Sequence, residues 1–358
     1  MAKKQTENSE NKGLESLKKL ISNIEKKYGK GIIGIASEMD LSVPKLPSNI
    51  MSLDFALGGG FPKGRYVEIY GESSTGKTSL ALHVIAESQK NGGLCGFIDA
   101  EHTFEPHHAA KLGVNLDDLY YVKSRTGEEA FDVLHQMVET NSFSVIVVDS
   151  ISAMSPSKML ESEMGDNIVG LQARLVQQGI IKLNDKLLDT ETVVIFINQM
   201  RSAIQTTQWS GETSAPTGGK ALVYYASQRL EVKKSKTLKD SEGLPNGYLV
   251  RIVVKKNKVG IPLRVAEINY YYDKCFSLDE EIFDLALKFD IIEKSGSWFR
   301  YNGTQLGQGR EKTLLALQDN PELMEEIVNI VKTTYTKYLS KSSVSSLIYL
   351  SSGLYFSL

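Results

Sequence analysis

The stretch from Tyr66 to Leu82, YVEIYGESSTGKTSLAL, decides how the rest of the chain is interpreted. A short apolar run ends at Gly71, eight residues then read GESSTGKT, and helical periodicity begins near Lys77. A strand, a glycine-containing loop and a helix in this order form the context in which G-x-x-x-x-G-K-[ST] binds phosphates. The glycines let N–H groups point at phosphate oxygens, and the helix dipole adds positive charge. The stretch therefore predicts a nucleoside triphosphate site rather than an ordinary glycine-rich loop.

The predicted nucleotide-binding loop consists of eight consecutive residues. Its members are Gly71, Glu72, Ser73, Ser74, Thr75, Gly76, Lys77 and Thr78. Lys77 is expected to reach the β- and γ-phosphates, and the Thr78 hydroxyl is expected to bind Mg²⁺.

Composition limits the classes of function that remain. The 358 residues, with 41% apolar and 23% charged side chains, are typical of a soluble globular protein with one large domain and smaller lobes. A net charge of −2 means that any nucleic-acid site must be a local patch. Cys95 and Cys275 lie far apart, which argues against a zinc ribbon or a disulfide framework and suits a reducing cytoplasm. No apolar run approaches the ~20 residues of a membrane span, so no membrane partner is expected.

Short apolar runs alternate with helical segments from about residue 48. The predicted strands are 66–70, 94–99, 119–122, 145–149 and 193–198, and the predicted helices are 77–90, 127–140 and 168–188. This alternation predicts an α/β fold with a mostly parallel twisted sheet and helices on both faces. Such sheets bind their ligands at the carboxyl ends of the strands.

Polar residues follow three of these strands at the expected binding edge. Glu101 comes just after the second strand, where a carboxylate can activate water or can instead cap the next helix. Asp149 ends the run 145–149 and is placed to bind Mg²⁺ or its waters. Asn198 and Gln199 follow the fifth strand, where an amide can sense the γ-phosphate or merely satisfy a strand end.

Two connections are unusually long for a compact domain. Residues 157–168 are acidic and contain Met and Gly, and residues 200–216 are rich in Ser, Thr, Gln, Gly and Ala. The second begins directly after the expected γ-phosphate sensor, so its order can depend on the nucleotide. It contains Arg201, Ile204 and Trp209, a combination that suits a strand of nucleic acid. The alternative is a lid with no ligand of its own.

The ends of the chain and its strand-rich part after residue 221 are less informative. Residues 1–12 are expected to be an unstructured tail, followed by an amphipathic helix that must lie on its own domain or on a neighbouring subunit. Strands are predicted at 227–233, 249–255 and 265–272. The lysines at 233, 234, 236 and 239 are expected at a solvated hairpin tip, and those at 255, 256 and 258 on a solvated face.

Over roughly residues 12–335 the chain resembles the RecA family of bacterial and phage recombinases. Besides the phosphate loop, the matching strings are SLDFALGGGFPKGR, GFIDAEH, VIVVDS, ESEMGDNIVGLQAR, IFINQMR, TGGKAL, VVKKNKVGIP and EKSGSWFRYNGTQLGQG. The resemblance implies an N-terminal tail and oligomerisation helix (1–47), a RecA-like P-loop ATPase core (48–274) with DNA loops at 157–170 and 200–217, and a small α+β domain (275–340). The Ser-rich tail (341–358) has no counterpart.

The resemblance implies an ATP-dependent recombinase in DNA repair. Its cofactors would be ATP and Mg²⁺, and its partners single- and double-stranded DNA, further copies of itself in a helical filament, and a self-cleaving repressor. Two alternatives stay open: a hexameric helicase on the same core, and a weakly hydrolysing regulatory filament that binds ATP and DNA. The helicase would carry a different N-terminal domain. The weak filament conflicts with the presence of Glu101, Lys77 and Asp149.

Specific roles follow from the matched positions. The implied catalytic residues are Lys77, Glu101 as general base, Gln199 as γ-phosphate sensor, and Lys256 with Lys258, which would reach a neighbour's triphosphate and not merely face solvent. Further implied sites are Glu105 and Tyr272 for ATP, Thr78 with Asp149 for Mg²⁺, and Gly165, Val169, Arg174, Arg201, Ile204, Gly218, Gly219 and Lys220 for DNA.

The sequence departs from the family pattern at several places. Glu72 stands where the family has Pro in the phosphate loop, and His108 replaces a tyrosine on the adenine side. The second DNA loop is about two residues longer and holds Trp209, and the family's acidic tail is replaced by residues 342–358. The first two changes bear on adenine specificity, and the last on regulation by a repelling tail.

Overall fold

The computed structural model describes residues 2–163, 170–202, 214–216 and 221–345, and the chain divides into the units Met1–Pro44 and Lys45–Leu358. The first unit contains helix α1 (Ala2–Tyr28). The expectation of an unstructured tail at 1–12 is therefore wrong for its described residues, because helix-favouring Ala, Lys, Gln and Glu make up most of the segment from Ala2. Leu17 and Leu20 on the predicted apolar stripe remain 48% and 51% exposed.

The second unit contains the remaining described elements. Its strands are β1 (Lys45–Leu46), β2 (Phe61–Pro62), β3 (Arg65–Gly71), β4 (Leu94–Asp99), β5 (Leu119–Lys123), β6 (Phe143–Asp149), β7 (Val193–Ser202), β8 (Ser214–Pro216), β9 (Gln228–Lys239), β10 (Pro245–Asn257), β11 (Val265–Tyr271), β12 (Cys275–Phe276), β13 (Glu293–Ser295), β14 (Trp298–Tyr301) and β15 (Thr304–Gln308). Its helices are α2 (Met51–Leu57), α3 (Lys77–Lys90), α4 (Pro106–Lys111), α5 (Gly127–Glu139), α6 (Ser157–Glu161), α7 (Leu171–Leu187), α8 (Ala221–Tyr225), α9 (Leu278–Lys288), α10 (Arg310–Gln318) and α11 (Pro321–Ser345).

One large sheet organises this unit, with strand order β12-β11-β10-β9-β3-β7-β6-β4-β5 and β8 paired with β7. The strands from β5 to β9 along this order pair in parallel, and β10, β11 and β12 extend the sheet antiparallel. The predicted α/β fold with a mostly parallel sheet is confirmed. None of the helices in the described ranges is both long and apolar enough to cross a bilayer.

The centre of the sheet is buried on both faces, as the run 145–148 illustrates. Val145 and Val147 pack into the apolar layer that contains α3, whereas Ile146 and Val148 pack into the layer that contains α5 and α7. A strand covered on both faces is apolar at every position because successive side chains point to opposite faces. The two helical layers fix the strands, so the loops at their carboxyl ends have a rigid support.

Strand β9 is longer than predicted, which changes the interpretation of its lysines. It runs to Lys239, which pairs with Pro245 of β10, so the turn occupies 240–244. Lys233 and Lys234 therefore lie inside a strand, so the expected position at a hairpin tip is wrong for them, whereas their expected exposure to solvent is confirmed. The extra length comes from pairing with β10, a contact that the local pattern of β9 does not contain.

Both expected DNA loops contain regular structure at their described ends. Helix α6 occupies 157–161 at the start of the first. In the second, Met200 pairs with Pro216 and Ser202 pairs with Ser214, so β7 and β8 form its base. These segments are thus shorter as irregular loops than the sequence predicts.

The C-terminal part of the chain has its own core. Strands β13, β14 and β15 form an antiparallel sheet, and Phe283, Phe299 and Val331 pack between it and the helices α9, α10 and α11. The carboxylate of Glu281 in α9 accepts hydrogen bonds from the backbone N–H groups of Met51 (2.9 Å) and Ser52 (2.8 Å). Glu281 therefore caps α2 across the junction between this C-terminal part and the part of the chain that contains the large sheet.

The Glu281 cap predicts a specific pH dependence of stability. Burial raises the pKa of Glu281 from its ordinary 4.5 to about 7. Between these values the folded chain holds a proton that the unfolded chain has released, so the stabilisation present at low pH is lost as pH rises. We expect the free energy of unfolding, measured with urea, to fall between pH 5 and pH 8 in wild type. This fall should exceed that of Glu281→Gln by about 1–3 kcal/mol. Identical pH dependence in the two proteins would contradict this prediction.

Candidate nucleotide-binding site

The strand register brings the predicted functional residues to one edge of the sheet. Gly71 at the end of β3 lies beside Gln199 of β7, and Asp99 at the end of β4 lies beside Asp149 of β6. Because parallel strands in register end together, residues distant in sequence surround the phosphate loop. The carboxyl ends of these strands therefore lie side by side in the fold, as predicted.

The phosphate loop adopts the conformation that its glycines permit. Gly76 has φ 96° and directly precedes α3, and Ser74 also has a positive φ of 58°. Lys77 is only 6% exposed, and its ammonium donates a hydrogen bond to the carbonyl oxygen of Glu72 at 2.6 Å. Burial lowers the pKa of Lys77, while Asp149 and Glu101 act in the opposite direction. The lysine thus lies within the loop at the amino-terminal end of α3, where phosphates bind in this motif.

Thr78 and Asp149 provide oxygen donors that fit Mg²⁺. The Thr78 hydroxyl donates to Oδ2 of Asp149 at 2.7 Å. Burial raises the pKa of Asp149 to about 6, and the charges of Glu101 and Asp99 contribute to the rise. A divalent cation with oxygen ligands would offset this concentration of negative charge. These residues therefore fit the predicted metal ion, and Thr78 and Asp149 would hold it.

Glu101 and Gln199 are joined directly. The Gln199 side-chain amide donates to Oε1 of Glu101 at 2.8 Å, and the Ser150 hydroxyl donates to the same oxygen at 2.5 Å. Glu101 is half-buried. Its backbone N–H donates to the backbone carbonyl of Asp149 at 3.2 Å, which places it close to the Thr78–Asp149 pair. Ser150 is not among the predicted site residues, although its position directly after the strand ending in Asp149 is a usable signal.

A buried polar network lies under Gln199. The Glu68 carboxylate, fully buried, accepts hydrogen bonds from the Asn198 side-chain amide (2.9 Å) and from the Arg229 guanidinium. The Asn198 side-chain oxygen accepts from the backbone N–H of Gln199 at 2.9 Å. Asn198 is thus fixed from below and orients Gln199, which favours Gln199 over Asn198 as the sensor. The signal for Glu68 was an acidic residue inside the apolar run 66–70.

Lys256 and Lys258 bind the carboxyl end of α8, the helix that follows the second expected DNA loop. Lys256 Nζ donates to the carbonyls of Val223 (2.7 Å) and Tyr224 (2.8 Å), and Lys258 Nζ donates to those of Tyr224 (3.1 Å) and Tyr225 (3.4 Å). Burial and the neighbouring Lys258 lower the pKa of Lys256 to about 8. A contact with a neighbour's triphosphate stays a prediction.

The adenine-side residues are only partly brought together. Tyr272, 54% exposed, lines a cavity of about 330 Å³ beside the phosphate loop. Glu105 caps α4 by accepting from the N–H groups of His107 (3.0 Å) and His108 (2.5 Å). His108 in turn lies 3.0 Å from the hydroxyl of Ser79, which also lines the cavity. Glu105 therefore reaches the cavity only through these intermediates.

Little of the expected DNA-binding set lies in the described residues. Arg174 is exposed in the first turns of α7, and of Arg201 only the backbone in β7 is described. The remaining members lie outside the described residues: Gly165, Val169, Ile204, Gly218, Gly219 and Lys220.

The parallel sheet, the phosphate loop and the Thr78–Asp149 pair define a nucleotide-binding protein of the P-loop class. Family models for the RecA N-terminal domain and the RecA C-terminal domain match residues 15–277 and 280–336. The chain belongs to the RecA family of DNA recombinases.

Curated relatives match the sequence of this chain over most of their own length. Protein RecA of Porphyromonas gingivalis is 45% identical over 90% of this chain and 94% of its own. Protein RecA of Clostridium tetani is 42% identical over 93% and 95%, and that of Rhodospirillum rubrum is 45% identical over 89% and 87%. These matches support a recombinase role and do not favour the helicase or the regulatory filament.

Proposed function

We propose that this chain is an ATP- and Mg²⁺-dependent recombinase that polymerises on single-stranded DNA, pairs it with a homologous duplex and hydrolyses ATP in response to DNA. One observation supports the coupling most directly: the amide of Gln199 is hydrogen-bonded to Glu101, and Gln199 lies in the strand that leads into the second DNA loop. The same residue thus contacts the expected catalytic base and belongs to the strand that leads into the expected DNA-binding segment.

Each of the site residues has a specific role in this proposal. Lys77 and the loop N–H groups hold the β- and γ-phosphates, and Glu101 accepts a proton from the attacking water. When bound, Mg²⁺ neutralises phosphate charge beside Thr78 and Asp149. The Gln199 amide can donate either to Glu101 or to a γ-phosphate oxygen, so nucleotide binding offers it a second acceptor. A shift of Gln199 would move the base formed by β7 and β8 and thereby alter DNA affinity.

Partners and setting follow from the same proposal. Filament neighbours would contribute Lys256 and Lys258 to each other's triphosphates, and the exposed leucines of α1 would bind the adjacent copy. Arg174 and the positions Gly165, Val169, Arg201, Ile204, Gly218, Gly219 and Lys220 would contact DNA, with phosphate contacts that make binding salt-dependent. We place this activity in the cytoplasm, with a self-cleaving repressor as a further partner.

A strand-exchange assay tests the proposed function. The full chain is incubated with ATP, Mg²⁺, circular single-stranded DNA and a linear duplex, either homologous or unrelated in sequence. Exchange with the homologous duplex alone, and only with ATP, is the expected result. Unwinding of both duplexes without exchange would indicate the helicase, and DNA binding without exchange or turnover would indicate the regulatory filament.

A further inference from the structure

Besides the phosphate loop, one lysine and three tyrosines line the candidate nucleotide cavity. Residues 74–79 of the loop and helix α3 line the cavity together with Lys234, Tyr248, Tyr270 and Tyr272, which form its tyrosine wall. These four residues come from the antiparallel part of the sheet, where β9 pairs with β10 and Tyr248 pairs with Tyr270 of β11. The wall is built from β9, β10 and the end of β11, none of which contains the phosphate-binding motif.

Lys234 reaches this wall because β9 extends past the end of β3. The two strands pair in parallel up to Tyr70 and Glu231, and Lys234 lies three residues further along, level with the phosphate loop. Its neighbour Lys233 pairs with the carboxylate of Glu231 at 3.0 Å. Successive residues of a strand point to opposite faces, so Lys233 and Lys234 serve different surroundings.

The ammonium of Lys234 is held by an aromatic face. Lys234 Nζ lies 4.4 Å from the ring centroid of Tyr248, within the range of a cation–π contact. Within the described part of the chain it has neither an acidic partner nor a hydrogen bond. A cation without a carboxylate beside a triphosphate motif has its charge available for the ligand.

Tyr248 is itself fixed against the loop. Its ring is buried and lies 5.2 Å from the ring of Tyr270, and a Cβ atom at Gly76 would lie 3.2 Å from its hydroxyl. Burial, together with Tyr270, raises the pKa of Tyr248 to about 12, so the hydroxyl stays protonated at neutral pH. The ring is therefore a neutral, rigid support for the lysine.

We propose that Lys234 is a second nucleotide-binding cation, held over Tyr248 and directed at the phosphate chain from the tyrosine wall of the cavity. Lys77 is fixed inside the loop and Lys234 is supported by the tyrosine wall, so two ammonium groups from different elements would bind the same phosphate chain. The inference rests on the proposed ATP binding and deepens it, because it identifies a phosphate contact that lies outside the loop motif.

Binding of fluorescently labelled ATP, ADP and adenosine to the full-length chain tests this inference. A charge-assisted contact at a partly exposed site predicts about tenfold weaker binding of ATP and ADP by Lys234→Ala, and unchanged binding of adenosine. Lys234→Arg should restore most of the affinity. The matched control Lys233→Ala removes the adjacent lysine from the other strand face and should bind ATP within about twofold of wild type.

The support by Tyr248 is tested through a double-mutant cycle. Tyr248→Phe keeps the ring and should bind like wild type, whereas Tyr248→Leu should weaken ATP binding about as much as Lys234→Ala. The double variant should be no weaker than the weaker single variant, because the ring acts through the lysine. Losses that add in the double variant would overturn the support by Tyr248.

The outcomes separate this inference from the proposed function. ATP affinity of Lys234→Ala within twofold of a wild type that binds ATP would overturn the role of Lys234 alone. An equal loss for adenosine would overturn the assignment to phosphate. A wild type that binds no ATP would overturn both the inference and the proposed function.

Discussion

Lys77→Ala is expected to abolish ATP-driven assembly on single-stranded DNA and to lower ATP turnover by on the order of 10²–10³-fold. The ammonium is buried within the phosphate loop, and no other cation in the described residues occupies that position. Its removal leaves the charge that develops on the γ-phosphate without its nearest counter-charge. Phosphate release and light scattering, both with single-stranded DNA present, measure the two effects.

Lys90→Ala provides the control for this variant. Lys90 lies at the opposite end of the same helix, α3, where it pairs with Glu87 at 2.6 Å and is exposed. Its removal changes the same net charge without touching the loop, so turnover should stay close to that of wild type. DNA-dependent ATP turnover by Lys77→Ala at the wild-type rate would contradict the proposed mechanism.

Glu101→Gln should separate ATP binding from hydrolysis. Glutamine keeps an oxygen that can accept from Ser150 and Gln199, but it cannot take a proton from water. We expect turnover to fall by about 10²–10⁴-fold while ATP and DNA binding persist, so that assembled filaments dissociate more slowly. Single-turnover hydrolysis and the rate of dissociation from labelled single-stranded DNA measure these effects.

The matched control for Glu101→Gln is Glu191→Gln. Glu191 is an exposed carboxylate paired with Lys63 just before β7, so it lies at the other end of the strand that contains Gln199. Replacing this carboxylate with the amide of Gln should leave ATP turnover and filament dissociation unchanged. If Glu101→Gln hydrolyses ATP as fast as this control, another group must act as the base.

The sequence was sufficient for the parallel sheet and for the residues at its carboxyl edge. The run 145–148 is apolar at every position because both faces of the strand are covered, and the polar residue that follows it must then lie at the sheet edge. The same reasoning predicts that the segments after β3, β4 and the apolar part of β7 bring Lys77, Glu101 and Gln199 together.

The sequence was insufficient where partners from distant strands decide the outcome. The local pattern predicts a hairpin tip at Lys234, whereas pairing with β10 extends β9 past this residue to Lys239. The burial of Glu68 depends on Asn198 and Arg229, which lie 130 and 161 residues away along the chain. Long-range pairing of this kind leaves no local periodicity, so a reading of successive segments misses it.

ATP hydrolysis by the wild-type chain with and without single-stranded DNA tests the central claim most directly. The claim is that Gln199 couples the triphosphate at the phosphate loop to DNA bound beyond β7. It predicts that single-stranded DNA raises ATP turnover at least about tenfold, with Gln199→Ala abolishing most of that stimulation. A turnover rate that is the same with and without DNA would contradict the claim.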